Sequence, residues 1–198
     1  MFWTVLRFEV AYHLRRPVTY LYFAVFFLLA FFFISSDAVS IGGGVGLVRK
    51  NSPYVLTQLT MVLTAVGQVI TTALVGTSVL RDYQFQTHEL LFTTRMSRLG
   101  YLGGRFVGAF VAMLVAFSAI PIGAFAGTLM PWVDSSKLLP FNAWHYLQPF
   151  LLFGVTNVFF VSALFFAVGA LSRSIFAIYT QGIALLVLWL AFGPLMSR

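Results

Sequence analysis

VTYLYFAVFFLLAFFFIS, residues 18–35, is a run of apolar and aromatic side chains without a single charge. A helix of that length rises about 27 Å, close to the roughly 30 Å thickness of a bilayer's hydrocarbon, so the stretch predicts a membrane-spanning helix. Runs of the same kind at residues 55–80, 106–130, 150–171 and 175–195 extend the expectation to about five spans. In lipid each backbone amide must bond within its own segment. The alternating polarity of a barrel strand is missing, so all five are expected to be helical.

Composition agrees with that expectation. Apolar residues make up 60% of the 198, charged residues only 9%, and mean hydropathy is +0.94. Five acids and twelve basic residues cannot coat the surface of a soluble domain this size. The net charge of +7 is scattered between apolar runs and forms no dense patch, which argues against nucleic acid and for setting orientation in a membrane. The absence of cysteine excludes disulfides, thiol catalysis and thiolate metal sites.

Arg7, Arg15 and Arg16 precede the first run, Arg81, Arg95, Arg98 and Arg105 separate the second from the third, and Arg173 divides the fourth from the fifth. The intervening segments hold Arg49, Lys50 and Lys137, with Arg198 at the end. The positive-inside bias then places the amino terminus, residues 81–105 and residues 172–174 in the cytoplasm, and residues 36–54 and 131–149 outside. Trp132, Trp144 and Tyr146 in the second outer segment are expected at the headgroup level. A cleaved leader ending near Ala38-Val39-Ser40 is the rival for the first run. That run is longer than a usual signal core, so it is taken as retained.

Residues 2–16, FWTVLRFEVAYHLRR, suit a helix lying in the membrane surface. Phe2, Leu6, Val10 and Leu14 share a stripe, with Arg7, Glu9, His13 and Arg16 expected to reach water or headgroups. A positively charged leader that only sets topology is the alternative. Pro17, which lacks an N–H and restricts Arg16, suits a bend into the first span.

The most polar stretch is RDYQFQTHELLFTTRMSR, residues 81–98. Asp82 suits an N-cap, and Tyr83, Thr87, Leu90, Leu91 and Thr94 fall at helical spacing, which predicts a short amphipathic helix. His88-Glu89 begins like the zinc motif H-E-x-x-H, but Phe92 stands where the second imidazole is needed. With His13, His88 and His145 spread across both sides, no three-ligand site is evident. The glycine-rich segment 41–51 lacks the Gly-Lys-Ser/Thr of a phosphate loop. Paired acids, Ser-Lys dyads and a G-x-S-x-G elbow are not visible in the spans.

Uncharged polar residues concentrate in the second run, where Thr57, Thr64, Gln68, Thr71 and Ser78 follow a seam with Thr60 and Thr72 beside it. Such a seam either lines a translocation path or packs through interhelical hydrogen bonds of roughly 0.6 kcal/mol each. In the third run Gly104, Gly108, Ala112 and Ala116, then Gly123 and Gly127, permit close helix approach.

These residues resemble the membrane subunit of type-2 ABC exporters, nearly end to end. FEVAYHLRRPVTYLY is similar to that family's surface helix and first-span entry. RDYQFQTHELLFTTRMSRLGYLGGRF is similar to its coupling segment at Arg81, Asp82, Thr87, Glu89, Leu90, Leu91, Thr94, Ser97, Arg98, Tyr101, Leu102, Gly104 and Arg105. Gln84, Gln86 and Arg95 stand where the family usually has glutamate, glycine and proline. A narrower resemblance, in GGGVGLVRKNSPYV and MPWVDSSKLLPFNAWHYLQPFLLF, is to the subgroup whose chains continue into a zinc aminopeptidase domain; no peptidase motif occurs here. The resemblance implies an all-α, permease-like bundle, residues 1–198, in a bacterial inner membrane, with a sixth span missing. It implies a coupling segment at Arg81, Asp82, Thr87, Glu89, Leu90, Leu91 and Arg98 that docks on an ATP-binding subunit, which holds the ATP and magnesium, and a second permease copy as dimer partner. No cofactor or catalysis is expected on the chain itself. The classes that remain are an exporter permease, the membrane anchor of a permease–peptidase fusion, and a membrane-embedded enzyme. For the last, the sequence offers no titratable cluster.

Overall fold

A computed structural model describes residues 2–36, 49–84 and 97–196, and every regular element among them is helical. In chain order these are α1 (Phe2–Leu14), α2 (Pro17–Ser35), α3 (Pro53–Val66), α4 (Gln68–Thr71), α5 (Thr77–Gln84), α6 (Arg98–Phe117), α7 (Ala119–Thr128), α8 (Ala143–Pro149), α9 (Thr156–Ser172) and α10 (Ile175–Met196). A π-helical turn, Thr72–Gly76, joins α4 to α5, and another, Phe150–Val155, joins α8 to α9.

Among the described residues four stretches are long and apolar enough to cross a bilayer: Pro17–Ser35, Leu99–Thr128, Ala143–Ser172 and Ile175–Phe192. A fifth results if Pro53–Val66 and Gln68–Arg81, which meet at a break on Gly67, count as one span. Their outward side chains are oily. Phe32, Phe160, Phe176 and Ile183 are 58–85% exposed, a surface that water would not tolerate and lipid does. The chain is an all-α integral membrane protein.

It divides into two compact units. One comprises Met1–Pro17, Ala65–Met113 and Val158–Arg198. Its packing depends on glycines that admit neighbouring helices. A Cβ on Gly76 would stand 2.4 Å from a methyl of Ile178, and one on Gly182 would stand 2.6 Å from the Thr72 hydroxyl, so α10 lies tightly on the π turn. A Cβ on Gly104 or Gly108 would meet α1: at Gly104 it falls 3.0 Å from Val5 Cβ, and at Gly108 2.5 Å from Glu9 Cβ. The small-residue spacing of the third run thus opens a seat for the amino-terminal helix.

The other unit comprises Val18–Thr64 and Leu114–Asn157. Phe26 and Phe117, both buried, pack with ring centroids 4.5 Å apart, and Gly123 lets α7 approach the Phe27 carbonyl. Lys50 Nζ donates to the carbonyls of Ile34 (3.1 Å) and Ser36 (2.9 Å), capping the negative end of the α2 dipole. Buried Asn51 donates from Nδ2 to the Leu139 carbonyl at 2.8 Å and accepts from the Leu139 amide at 2.6 Å, pinning the segment before α3 to the one before α8. Lys50, at the end of the glycine-rich segment that lacks a phosphate loop's pattern, is a helix cap.

The structure departs from two sequence expectations. Asp82 does not start a helix as an N-cap; the backbone stays helical from Thr77 through Gln84, because no glycine or proline interrupts it. Glu9 and His13 do not reach water. They are 0% and 4% exposed, while Trp3 and Phe8 are 70% and 61% exposed, so α1 turns Glu9 and His13 inward and two aromatics outward.

Candidate functional site

α1 carries Glu9 and His13 four residues apart, hence one above the other on the same face. His13 Nε2 and Glu9 Oε1 are 3.2 Å apart. The other carboxylate oxygen, Oε2, accepts from Arg81 on α5 and, at 3.3 Å, from Arg105 Nη1 on α6. Arg105 Nη1 also donates to the Ser78 carbonyl at 3.0 Å. One buried anion therefore joins three elements that lie far apart in sequence.

Aromatic faces complete the site. The Arg81 guanidinium lies 3.9 Å from the Tyr12 ring centre and that of Arg16 4.2 Å, so Tyr12 packs against two cations. Arg105 lies 5.2 Å from the Tyr101 ring. The side chain of Arg105 is only 5% exposed and that of Arg81 12%. At such depth a charge is tolerated only when paired and hydrogen-bonded. Burial acts to raise the pKa of Glu9, but the His13 hydrogen bond and the charges of Arg81 and Arg105 outweigh it and hold the carboxyl below its ordinary value. Glu9 is ionised at neutral pH, and the cluster is a charged clamp.

Of the residues expected to form a coupling site, Arg81 is in this clamp. Asp82 and Arg98 are placed by their backbone alone, within α5 and at the start of α6. Thr87, Glu89, Leu90 and Leu91 lie outside the described residues. The zinc-like His88-Glu89 pair does too.

In the polar seam the threonine and serine hydroxyls bond along their own helix. Thr57, Thr60, Thr64, Thr71 and Thr72 each donate to the carbonyl four residues back, at 2.7–3.1 Å, and Ser78 donates to that of Val75 at 2.7 Å. These hydroxyls are satisfied inside their own helix. Thr64 also joins two helices: Asn157 Nδ2 donates to Thr64 Oγ1 at 3.1 Å. Thr64, Gln68, Thr71 and Ser78 are buried, and Thr57 is half-buried.

Local patterning hid Glu9, His13 and Arg105 as a set. The available signal was topological: an acid before the first span, and arginines at the end of the second and start of the third, all assigned to one side of the membrane. A match to known proteins adds nothing further, since no family model, curated protein or solved structure matches the chain.

Proposed function

We propose that the chain is the membrane permease subunit of an ATP-binding cassette transporter, in which ATP hydrolysis on a partner subunit drives export of a substrate. The observation that carries this reading is the grip of Glu9 on Arg81 and Arg105. These two arginines bracket the 81–105 connection, the same stretch whose motif residues resemble a coupling segment. A loop that merely joined two antiparallel spans could be a few residues long and would not need its ends tied together by a buried acid. With the clamp in place, a push on the connection moves α1, α5 and α6 together, as rigid-body switching requires.

In this mechanism the chain supplies no chemistry of its own. Arg81, Asp82, Thr87, Glu89, Leu90, Leu91 and Arg98 form the docking element, with leucines for affinity and charges for register. ATP and magnesium stay on the partner, and a second permease copy completes the transporter. The test is affinity purification in mild detergent with mass spectrometry of what accompanies the chain. An ATP-binding cassette subunit should co-purify, and Glu89→Lys should weaken its recovery at matched expression. Unchanged recovery with the variant sinks the docking assignment, and the absence of any such subunit leaves a membrane anchor.

A further inference from the structure

On α1 the faces are divided sharply. Glu9 and His13 are buried, whereas Trp3, Thr4, Arg7, Phe8 and Ala11 are exposed, as is Arg15, which lies one residue past α1 with its amide still bonded to the Ala11 carbonyl. At about 100° per residue these six fall within one half of the helix, opposite Glu9. That face holds two guanidiniums, two large rings and no acid. Arg15 and Arg16 alone separate α1 from Pro17, which opens a helix apolar enough to cross a bilayer, so the membrane surface is within one short turn of it. Rings that bury at the acyl boundary beside cations that meet phosphate are the pattern of a helix seated on an anionic membrane. The apolar stripe expected from sequence, Phe2, Leu6, Val10 and Leu14, is not the exposed one; Phe2 instead packs on Gly103 and Gly104 of α6.

We propose that α1 is a sensor of anionic lipid: Arg7 and Arg15 bind headgroup phosphates, and Glu9, on the opposite face, relays that contact to Arg81 and Arg105 at the feet of α5 and α6. The relay has a physical basis in the packing. Gly108 leaves no slack between α6 and Glu9, since even a Cβ would stand 2.5 Å from it. A tilt or shift of α1 on the lipid is therefore passed to α6. The proposal rests on the permease reading only for its consequence, a transporter tuned by membrane charge. Lipid binding and relay need no ATP-binding partner, so either idea can fail without the other.

The cysteine-free chain allows a direct test with a single spin label at Leu99→Cys, a position 87% exposed on the first turn of α6. The full-length protein is reconstituted in phosphatidylcholine vesicles with a rising fraction of phosphatidylglycerol. The label's mobility should change with that fraction. Arg7→Gln should raise the phosphatidylglycerol fraction giving half the change about fivefold, since a basic residue near the surface contributes about 1 kcal/mol, and Arg7→Lys should restore it. Glu9→Gln should abolish the change while lipid-bound quenchers still reach Trp3. Arg81→Gln, which leaves Glu9 paired with Arg105, makes a milder cut in the same relay and should diminish it. Identical spectra in neutral and anionic vesicles overturn the proposal. A full response in Glu9→Gln overturns the relay, and an equal response to inorganic phosphate with neutral vesicles overturns the assignment to lipid.

Discussion

Replacing Glu9 with glutamine preserves the shape of a fully buried side chain and removes its charge, leaving Arg81 and Arg105 to share a site without that carboxylate. Breaking a buried pair by removing one partner costs about 3–5 kcal/mol. Two contacts survive to soften the loss: Arg81 still stacks on Tyr12 at 3.9 Å, and Arg105 still donates to the Ser78 carbonyl at 3.0 Å. The lower end of the range, about 3 kcal/mol, is therefore the expectation, equivalent to roughly 150-fold in the balance between docked and undocked α1. Because the clamp holds one helix, the effect is local. Hydrogen exchange measured in nanodiscs should show the amides of Phe2–Leu14 exchanging about 150-fold faster while those of α7 keep their rates. A Glu9→Gln/Arg105→Gln pair should be less than additive, with a coupling of about 1–3 kcal/mol. Exchange of α1 within threefold of wild type would refute the clamp.

The pH dependence follows in sign from the same carboxylate. A docked pKa held below its ordinary value means that docking strength is present above the ordinary carboxylate range and lost as pH falls through the lowered value. Protection of α1 should thus stay level from neutral pH to about 4.3 and fall below that, with Glu9→Gln level throughout. Gly108→Val, whose Cβ would lie 2.5 Å from Glu9 Cβ, should undock α1 with the charges intact, read by the same exchange measurement. Lys50→Met removes both caps on the end of α2 and should lower the Tm by about 2–6 °C in tryptophan-fluorescence melting, for a loss of about 1–2 kcal/mol. For topology, an impermeant maleimide applied to intact cells should label Ser136→Cys and leave Ser97→Cys unlabelled; the opposite pattern reverses the expected orientation.

The helices were legible in the sequence because spanning a bilayer is a local demand: the run at 18–35 must be helical wherever the rest of the chain goes, and α2 occupies it. The clamp was not legible in the same way. Glu9 and His13 look like the wet side of a surface helix until the partners at positions 81 and 105 are known, and a pairing over 72 and 96 residues leaves no trace in a periodic pattern. Asp82 misled for a related reason. A good N-cap residue is also tolerated inside a helix, and the neighbours of Asp82 favour continuation. The threonine seam was visible as a pattern, but whether a hydroxyl bonds outward or to the turn behind it depends on its rotamer; here the hydroxyls donate to the turn behind, and Thr64 in addition accepts from Asn157.

The sequence distances inside the clamp also set an order of events during biogenesis. Glu9 leaves the ribosome 72 residues before Arg81 and 96 before Arg105. At about 5–20 residues per second, the amino-terminal helix waits about 5–20 s for its second arginine, until the start of α6 has been made. Its docking is thus a late step that reports the insertion of the second and third hydrophobic runs. A nascent chain that misplaces either one keeps an unsatisfied carboxylate next to its first span, a mark by which quality-control proteases can tell a misassembled molecule from a finished one.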